Sequence, residues 1–268
     1  MNAIDRLLGR QRRLLSTRGQ FYEVSAASAK ELLRSSRSVF TMIVMFAVIL
    51  VITLSLTGLV SSTSSGPGPA LNGGLSLSLT MGFMAIAFVG TTVPLVSYRG
   101  RGTLRLLGTT PLRRLLFVLA QAPVRFGIAA GEFFIVAACA VAFGHVGAPA
   151  FARLAVTATI GFAMLMSFAF LLASRMSDSD FVSIVSSLLP LIAILSSGSF
   201  IHDIVPRAVQ ILVNYVPTTW FIRALDADLN GTHSPLSVPV LWSLMAGTAA
   251  LTIVLTSVIF NWDQGDRD

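Results

Sequence analysis

Charge is what this chain most lacks. Of its 268 residues only 12% are charged, about half the share that a soluble domain of that length carries. The shortage is organised: no charged residue occurs in the 61 positions between Arg37 and Arg99. Further uncharged runs separate Glu132 from Arg153, Arg153 from Arg175, Asp180 from Asp203 and Asp228 from Asp263. A helix that crosses a bilayer needs about 20 consecutive apolar residues, and each of these runs has room for one. With 54% hydrophobic residues and a mean hydropathy of +0.79, a soluble globular fold is excluded.

Other shortages exclude chemistry. The single cysteine, Cys139, rules out an internal disulfide framework and any multi-cysteine metal site; it lies in an apolar run and reads as a small packing residue. The one lysine, Lys30, follows Ala29, whereas a phosphate-cradling P-loop needs Gly-Lys followed by Ser or Thr. The chain therefore has no ATP-binding motif of that kind. Its three histidines, His145, His202 and His233, are scattered, with no two at metal-ligand spacing on one helix. No Ser/His/Asp set or paired carboxylates stand out. No catalytic residue, metal or resident cofactor is expected.

What is present is a succession of helices. Residues 1–38 hold eight of the 19 basic residues. Ile4, Leu7, Leu8, Leu14 and Leu15 fall at helical spacing among arginines; Gly19 interrupts the pattern, and a second amphipathic helix is predicted from Gln20 to about Arg37. Such a segment suits the membrane interface; a solvated cytoplasmic tail is the alternative. Six spans follow, at about 39–60, 75–97, 115–143, 154–174, 181–201 and 236–260. Pro239 near the start of the last is tolerable in a first helical turn. The expected class is an all-α integral membrane protein.

Orientation follows from the basic residues. With the N-terminus inside, segments 1–38, 98–114, 175–180 and 261–268 hold 15 Arg/Lys, and the outer segments 61–74, 144–153 and 202–235 hold three. Positive residues are retained on the cytoplasmic side, so both termini are expected in the cytoplasm of a plasma- or inner-membrane protein. The same argument accounts for the net charge of +7 without nucleic acid. Segment 202–235 is more than a loop. Pro206–Tyr215 and Pro217–Leu225 each begin with proline and run amphipathic, predicting two short outer half-helices on or dipping into the leaflet, with Tyr215 and Trp220 at headgroup depth.

Within the spans, Arg125 and Glu132 are seven residues apart on one helix face. Ionisable groups in a membrane are costly, and so they are functional candidates. Arg125 either joins a substrate path or snorkels to the cytoplasmic end; Glu132 is either a structural hydrogen-bond partner or part of that path. Gly127 and Gly131 give a small-residue face, by design or by chance spacing. Phe162, Met164, Met166, Phe168 and Phe170 either line a greasy route or simply pack.

The most informative cytoplasmic stretch is Tyr98–Leu116, where Leu104, Leu107 and Leu112 form a short apolar face among Arg101, Arg105, Arg113 and Arg114. Gly102 and Pro111 bracket about two helical turns. By spacing alone this is a docking knob for a soluble partner or a basic topology anchor. The run Gly102-Thr103-Leu104, Leu107, Thr110-Pro111-Leu112 resembles the coupling segment of ABC-2 type transporter permease family members, of the daunorubicin-resistance-permease kind. Gly198 and Phe200, with Pro190, Ser197, Ser199, Pro206, Pro217, Thr218 and Arg223, resemble that family's carboxy-terminal signature. The chain departs from the family pattern at Tyr98 and Gly100, where acidic residues are usual, and at His202, where proline is.

The resemblance spans essentially the whole chain and implies a type V ABC exporter fold. It implies that Gly102, Thr103, Leu104, Leu107, Thr110 and Pro111 contact a separate ATPase (nucleotide-binding) subunit that carries ATP and Mg²⁺, and that two permease copies, identical or related, pair. The implied function is export of a hydrophobic antibiotic or drug, as in drug efflux and antibiotic resistance, or of a lipid. Export of a polysaccharide or lipid-linked glycan is the alternative within the family; an ATP-independent ion-coupled carrier or channel is the alternative outside it.

Overall fold

A computed structural model describes residues 17–34, 36–63, 69–100, 114–142, 148–176, 178–196, 213–231 and 236–259. Every regular element among them is helical. The helices are α1 (Thr17–Arg34), α2 (Ser36–Thr63), α3 (Pro69–Met84), a π-helical segment (Ala85–Thr92), α4 (Val93–Gly100), α5 (Arg114–Ala120), α6 (Ala122–Ala142), α7 (Ala148–Arg175), α8 (Ser179–Ser196), α9 (Pro217–Asn230) and α10 (Val238–Ile259). Four stretches are long and apolar enough to cross a membrane: Gly74–Tyr98, Ala122–Ala142, Ala150–Arg175 and Val238–Ile259. The expected first and fifth spans correspond to α2 and α8, whose apolar stretches Met42–Ile52 and Asp180–Pro190 are shorter.

Several boundaries differ from those read from the sequence. The helix expected from Gln20 begins at Thr17, so Gly19 lies in the first turn of α1, where a missing side chain costs little; the residues before α1 lie outside those described. The expected third span is broken at Gln121, between α5 and α6. Pro123 is the second residue of α6, and a proline ring clashes with the carbonyl four residues back, so an unbroken helix through Leu119 is disfavoured. Pro239 occupies the second position of α10, where no intrahelical N–H is needed.

The stretch α3–π–α4 is the axis of the bundle. From Gly74 to Thr92 every residue except Val89 is buried, and the stretch packs against α2, α6, α7, α8 and α9. Beside it, α7 and α10 lie together, joined by Trp242 to Thr157 at 2.8 Å and by Ser167 to Thr252 at 2.5 Å. These hydroxyls bond across the helix pair, which spares them an unsatisfied burial in an apolar surrounding. The other side of α10 presents Val240, Leu244, Leu251, Val254 and Val258 outward, as a lipid-facing stripe requires.

The expected outer half-helix beginning at Pro217 is α9. Its start is fixed by Pro217 in the first turn after extended Val216, and its end by Gly231 in the left-handed conformation (φ 62°), whose N–H donates to the Ala227 carbonyl at 3.2 Å. Glycine adopts that conformation without a Cβ penalty. Rather than lying on the surface, α9 is buried among α3, α7 and α10: Phe221, Ile222, Ala224 and Leu225 are at most 1% exposed.

Candidate functional site

Three internal polar positions stand out in an otherwise apolar bundle. Each joins α3–π–α4 to other elements.

The first is the seat of α9. Asp226 accepts a hydrogen bond from the Ser76 hydroxyl on α3. Asp228 is gripped from α7: Arg153 donates through Nε in a salt bridge, and Thr157 donates to the other carboxylate oxygen. Thr157 in turn accepts from the Trp242 indole of α10. The two aspartates thus tie the end of α9 to α3, α7 and, through Thr157, α10. Apolar packing completes the seat. The Phe221 ring lies where a Cβ on Gly161 of α7 would be, 2.1 Å from its nearest atom. It also stacks on Phe83 of α3 at 6.0 Å between centroids, and Phe83 meets Phe162 edge-on at 5.0 Å. Aromatic pairs in these arrangements add to the energy of simple burial.

The second is Glu132 of α6. It is 5% exposed, and neither carboxyl oxygen has a hydrogen-bond partner among the described residues. Its Oε2 occupies the space above Gly82 of α3, 2.3 Å from where a Cβ would stand, with the Phe46 ring of α2 beside it. Gly82 is therefore the residue that admits the carboxyl.

The third is Arg125, one helical turn into α6. It does not snorkel; it is 2% exposed. Nη1 donates to the Gln121 carbonyl at 2.7 Å, to Gln121 Oε1 at 2.9 Å and to the Ser28 hydroxyl of α1 at 3.2 Å. Nη2 donates to the Gly90 carbonyl in the π segment at 3.1 Å. Ser28 also donates to Gln121 Oε1 at 2.6 Å. One guanidinium thereby holds α1, α6 and the π segment together, the multi-donor geometry for which arginine is suited.

Among the residues singled out from sequence, Arg125 and Glu132 share α6 but not a site. Pro217 opens α9, and Arg223 donates to the Asn214 side chain, bracing the turn before α9 along with Trp220 Nε1 to the Asn214 carbonyl at 2.8 Å and Thr219 to the Val213 carbonyl at 2.8 Å. Gly102, Thr103, Leu104, Leu107, Thr110 and Pro111 lie outside the described residues, as do Gly198, Phe200, Pro206 and the three histidines. The described chain does reach both roots of the coupling-like segment, at Gly100 in α4 and Arg114 in α5. Gly127 and Gly131 face outward, with nothing near a Cβ at either. Phe162, Met164, Met166 and Phe170 are packed in the core and Phe168 is packed against it. No cluster of metal-ligating side chains occurs among the described residues.

Sequence reading missed Asp226, Asp228 and their partners. The signal available was two acids on a half-helix and a lone Arg153 near the start of α7, but only the fold shows that Asp228 and Arg153 meet. Gly82 and Gly161 were equally silent, because their role is the side chain they admit.

No curated protein matches the chain. A sequence model of one family, described as ABC-2 type transporter, matches residues 22–228, from the middle of α1 through Asp228. Covering most of the chain, that match shows that this multi-pass membrane protein belongs to the ABC-2 type transporter family, the permease component of ABC transporters.

Proposed function

We propose that this chain is the membrane subunit of an ATP-driven exporter for a hydrophobic small molecule or lipid. A partner ATPase docks on the segment from Gly102 to Arg114, and two permease copies form the pathway between them. The carrying observation is the place of that segment. Its family-like residues Gly102-Thr103-Leu104 and Thr110-Pro111 link α4 and α5, and α4 is the inner end of the buried axis α3–π–α4. A push on the segment is therefore delivered into the buried axis, which packs against α2, α6, α7, α8 and α9. For ATP to drive transport, the ATPase must bind two states of the permease with different affinity, and a docking face on this segment is where that difference acts.

An apolar cargo is favoured because the charged groups of the α9 seat, Asp226, Asp228 and the Asp228 partner Arg153, are engaged in holding α9. Glu132, buried without a partner among the described residues, is the polar group best placed to meet a cargo that reaches the bundle interior. Arg125 has both terminal nitrogens engaged, with Ser28, Gln121 and the Gly90 carbonyl, and serves another role.

The test is purification of the tagged chain in mild detergent, identification of co-purifying proteins by mass spectrometry, and assay of ATP hydrolysis. A P-loop ATPase in fixed stoichiometry is expected. Leu104→Asp with Leu107→Asp should remove it while the permease still elutes as a folded species. Retention of full ATPase binding by the well-folded double variant would remove the docking assignment.

A further inference from the structure

Span α3–π–α4 is wound differently in its middle from its ends, and the sequence says why. Pro94 lies just beyond the π segment, as the second residue of α4. It has no N–H to return to the carbonyl four residues back, and its ring clashes with that carbonyl in an α-helix. That carbonyl belongs to Gly90, and it is the one that Arg125 Nη2 reaches at 3.1 Å. The chain relieves the clash by widening to π geometry over Ala85–Thr92. Side chains support the wide turns: Thr91 donates to the Ile86 carbonyl five residues back at 3.2 Å, and Thr92 donates to the Ala169 carbonyl of α7 at 3.2 Å. Met42 of α2 packs over Gly90, its methyl 2.6 Å from where a Cβ would be, so a larger residue there requires that flexible side chain to shift.

The two ends of this span are held unequally. The outer end is fastened by Ser76 to Asp226, by Gly82 against Glu132 and by Phe83 against Phe221. The inner end, α4, runs directly into the segment proposed to dock the ATPase, and Gly100 at its tip is exposed. Between them lies an eight-residue stretch of π-helix, a rare geometry that is frequent at functional sites.

We propose that the π segment is the joint at which α4 moves against the fixed outer half of the span, and that Arg125 is the positioning residue that pins it. When Nη2 holds the Gly90 carbonyl, α1, α6 and the π segment form one unit. When the docked ATPase shifts α4, the Gly90 carbonyl moves relative to Arg125 and the winding of residues 85–92 changes. The inference rests on the docking reading above, but its test separates the two.

The full-length chain, co-purified with its ATPase in lipid nanodiscs, is compared nucleotide-free and after trapping with ATP, Mg²⁺ and orthovanadate. Amide hydrogen exchange is read for peptides covering 85–98 and, as the fixed reference, 72–84. Trapping should change exchange in 85–98 of the natural protein by about fivefold or more, the scale of a small local-stability change, and leave 72–84 within about twofold. Pro94→Ala, which restores the N–H and removes the ring, should cut the change in 85–98 to under about twofold while ATPase stoichiometry is retained. Arg125→Met should raise nucleotide-free exchange in 85–98 toward the trapped value, and Arg125→Lys, which keeps one donor for Gly90, should restore part of the difference. Should Arg125→Met not fold, Pro94→Ala decides alone. Equal exchange in the two states of the natural protein, or an undiminished change in Pro94→Ala, overturns the joint. If Leu104→Asp with Leu107→Asp still binds the ATPase and still shows the response, docking lies elsewhere and the joint stands. Absence of any co-purifying ATPase sinks both.

Discussion

The ion pair in the α9 seat makes a prediction in which the two partners are not equivalent. The Asp228 side chain is fully buried, whereas the Arg153 side chain is 48% exposed. Removing Asp228 frees an arginine that can turn to water. Removing Arg153 strands a buried carboxylate with Thr157 as its remaining side-chain donor. Breaking a fully buried pair from one side costs about 3–5 kcal/mol, but half of Arg153 is already wet, so screening lowers this to about 2–3 kcal/mol for Arg153→Met. Asp228→Asn keeps an acceptor for Thr157 and loses chiefly a screened charge interaction, at about 1 kcal/mol.

For a domain of this size 1 kcal/mol moves the midpoint by about 2–4 °C. Arg153→Met should therefore lower the apparent Tm in detergent by about 4–12 °C, and Asp228→Asn by about 2–4 °C. The double variant should be more stable than Arg153→Met alone, because the stranded charge is gone. Size-exclusion recovery after a temperature ramp measures all three. The reasoning fails if Asp228→Asn is as harmful as Arg153→Met, or if the double variant loses the sum of the two.

The remaining predictions use the same seat and its neighbour. Gly161→Ala places a methyl 2.1 Å from the Phe221 ring, which is pinned against Phe83; overpacking of about 1–3 kcal/mol is expected, and adding Phe221→Leu should recover part of the lost Tm. Gly82→Ala meets Glu132 Oε2 at 2.3 Å, so Glu132→Ala should rescue it and the equally long Glu132→Gln should not. Glu132→Gln alone tests the path role, and unchanged export rate and range would end it. On α9, which is not one of the spans, desolvation pushes the Asp226 carboxyl up to about 6, with the Ser76 hydrogen bond opposing. A carboxyl raised in the folded state contributes stability that is present below the ordinary value near 4 and lost as pH rises through about 6. Apparent Tm should fall over that window, and Asp226→Asn should flatten the fall.

How much of this was legible beforehand depends on what kind of signal each feature leaves. The uncharged runs were enough to point to helices, four of them long and apolar enough to cross a membrane, since a single segment satisfies its own backbone in an apolar medium only as a helix. Pro217 and the amphipathic run after it were enough to find α9. Its burial was not legible, because amphipathicity states that a helix has two faces and not whether lipid or protein covers the apolar one. The break at Gln121 and the π winding were both written in single prolines, Pro123 and Pro94, but a proline does not declare whether a helix will kink, break or widen. Arg125 was visible as costly. That it is held by Ser28 and Gly90, 97 and 35 residues away in sequence, is a property of packing alone.

These features bear on one another through the central span. Ser76, Gly82 and Gly90 lie in order along it in chain direction, and each is the point where a polar side chain from another element arrives: Asp226, Glu132 and Arg125. A span facing only lipid needs no small residues at such points, and larger side chains at Gly82 or Gly90 would collide with Glu132 or Met42. The first two contacts lie in regular α-helix and the third in the π segment. On the proposed reading, a displacement entering at Gly100 meets the π winding before it meets the half of the span that seats α9, so the α4 end of the bundle changes first and the α9 seat last.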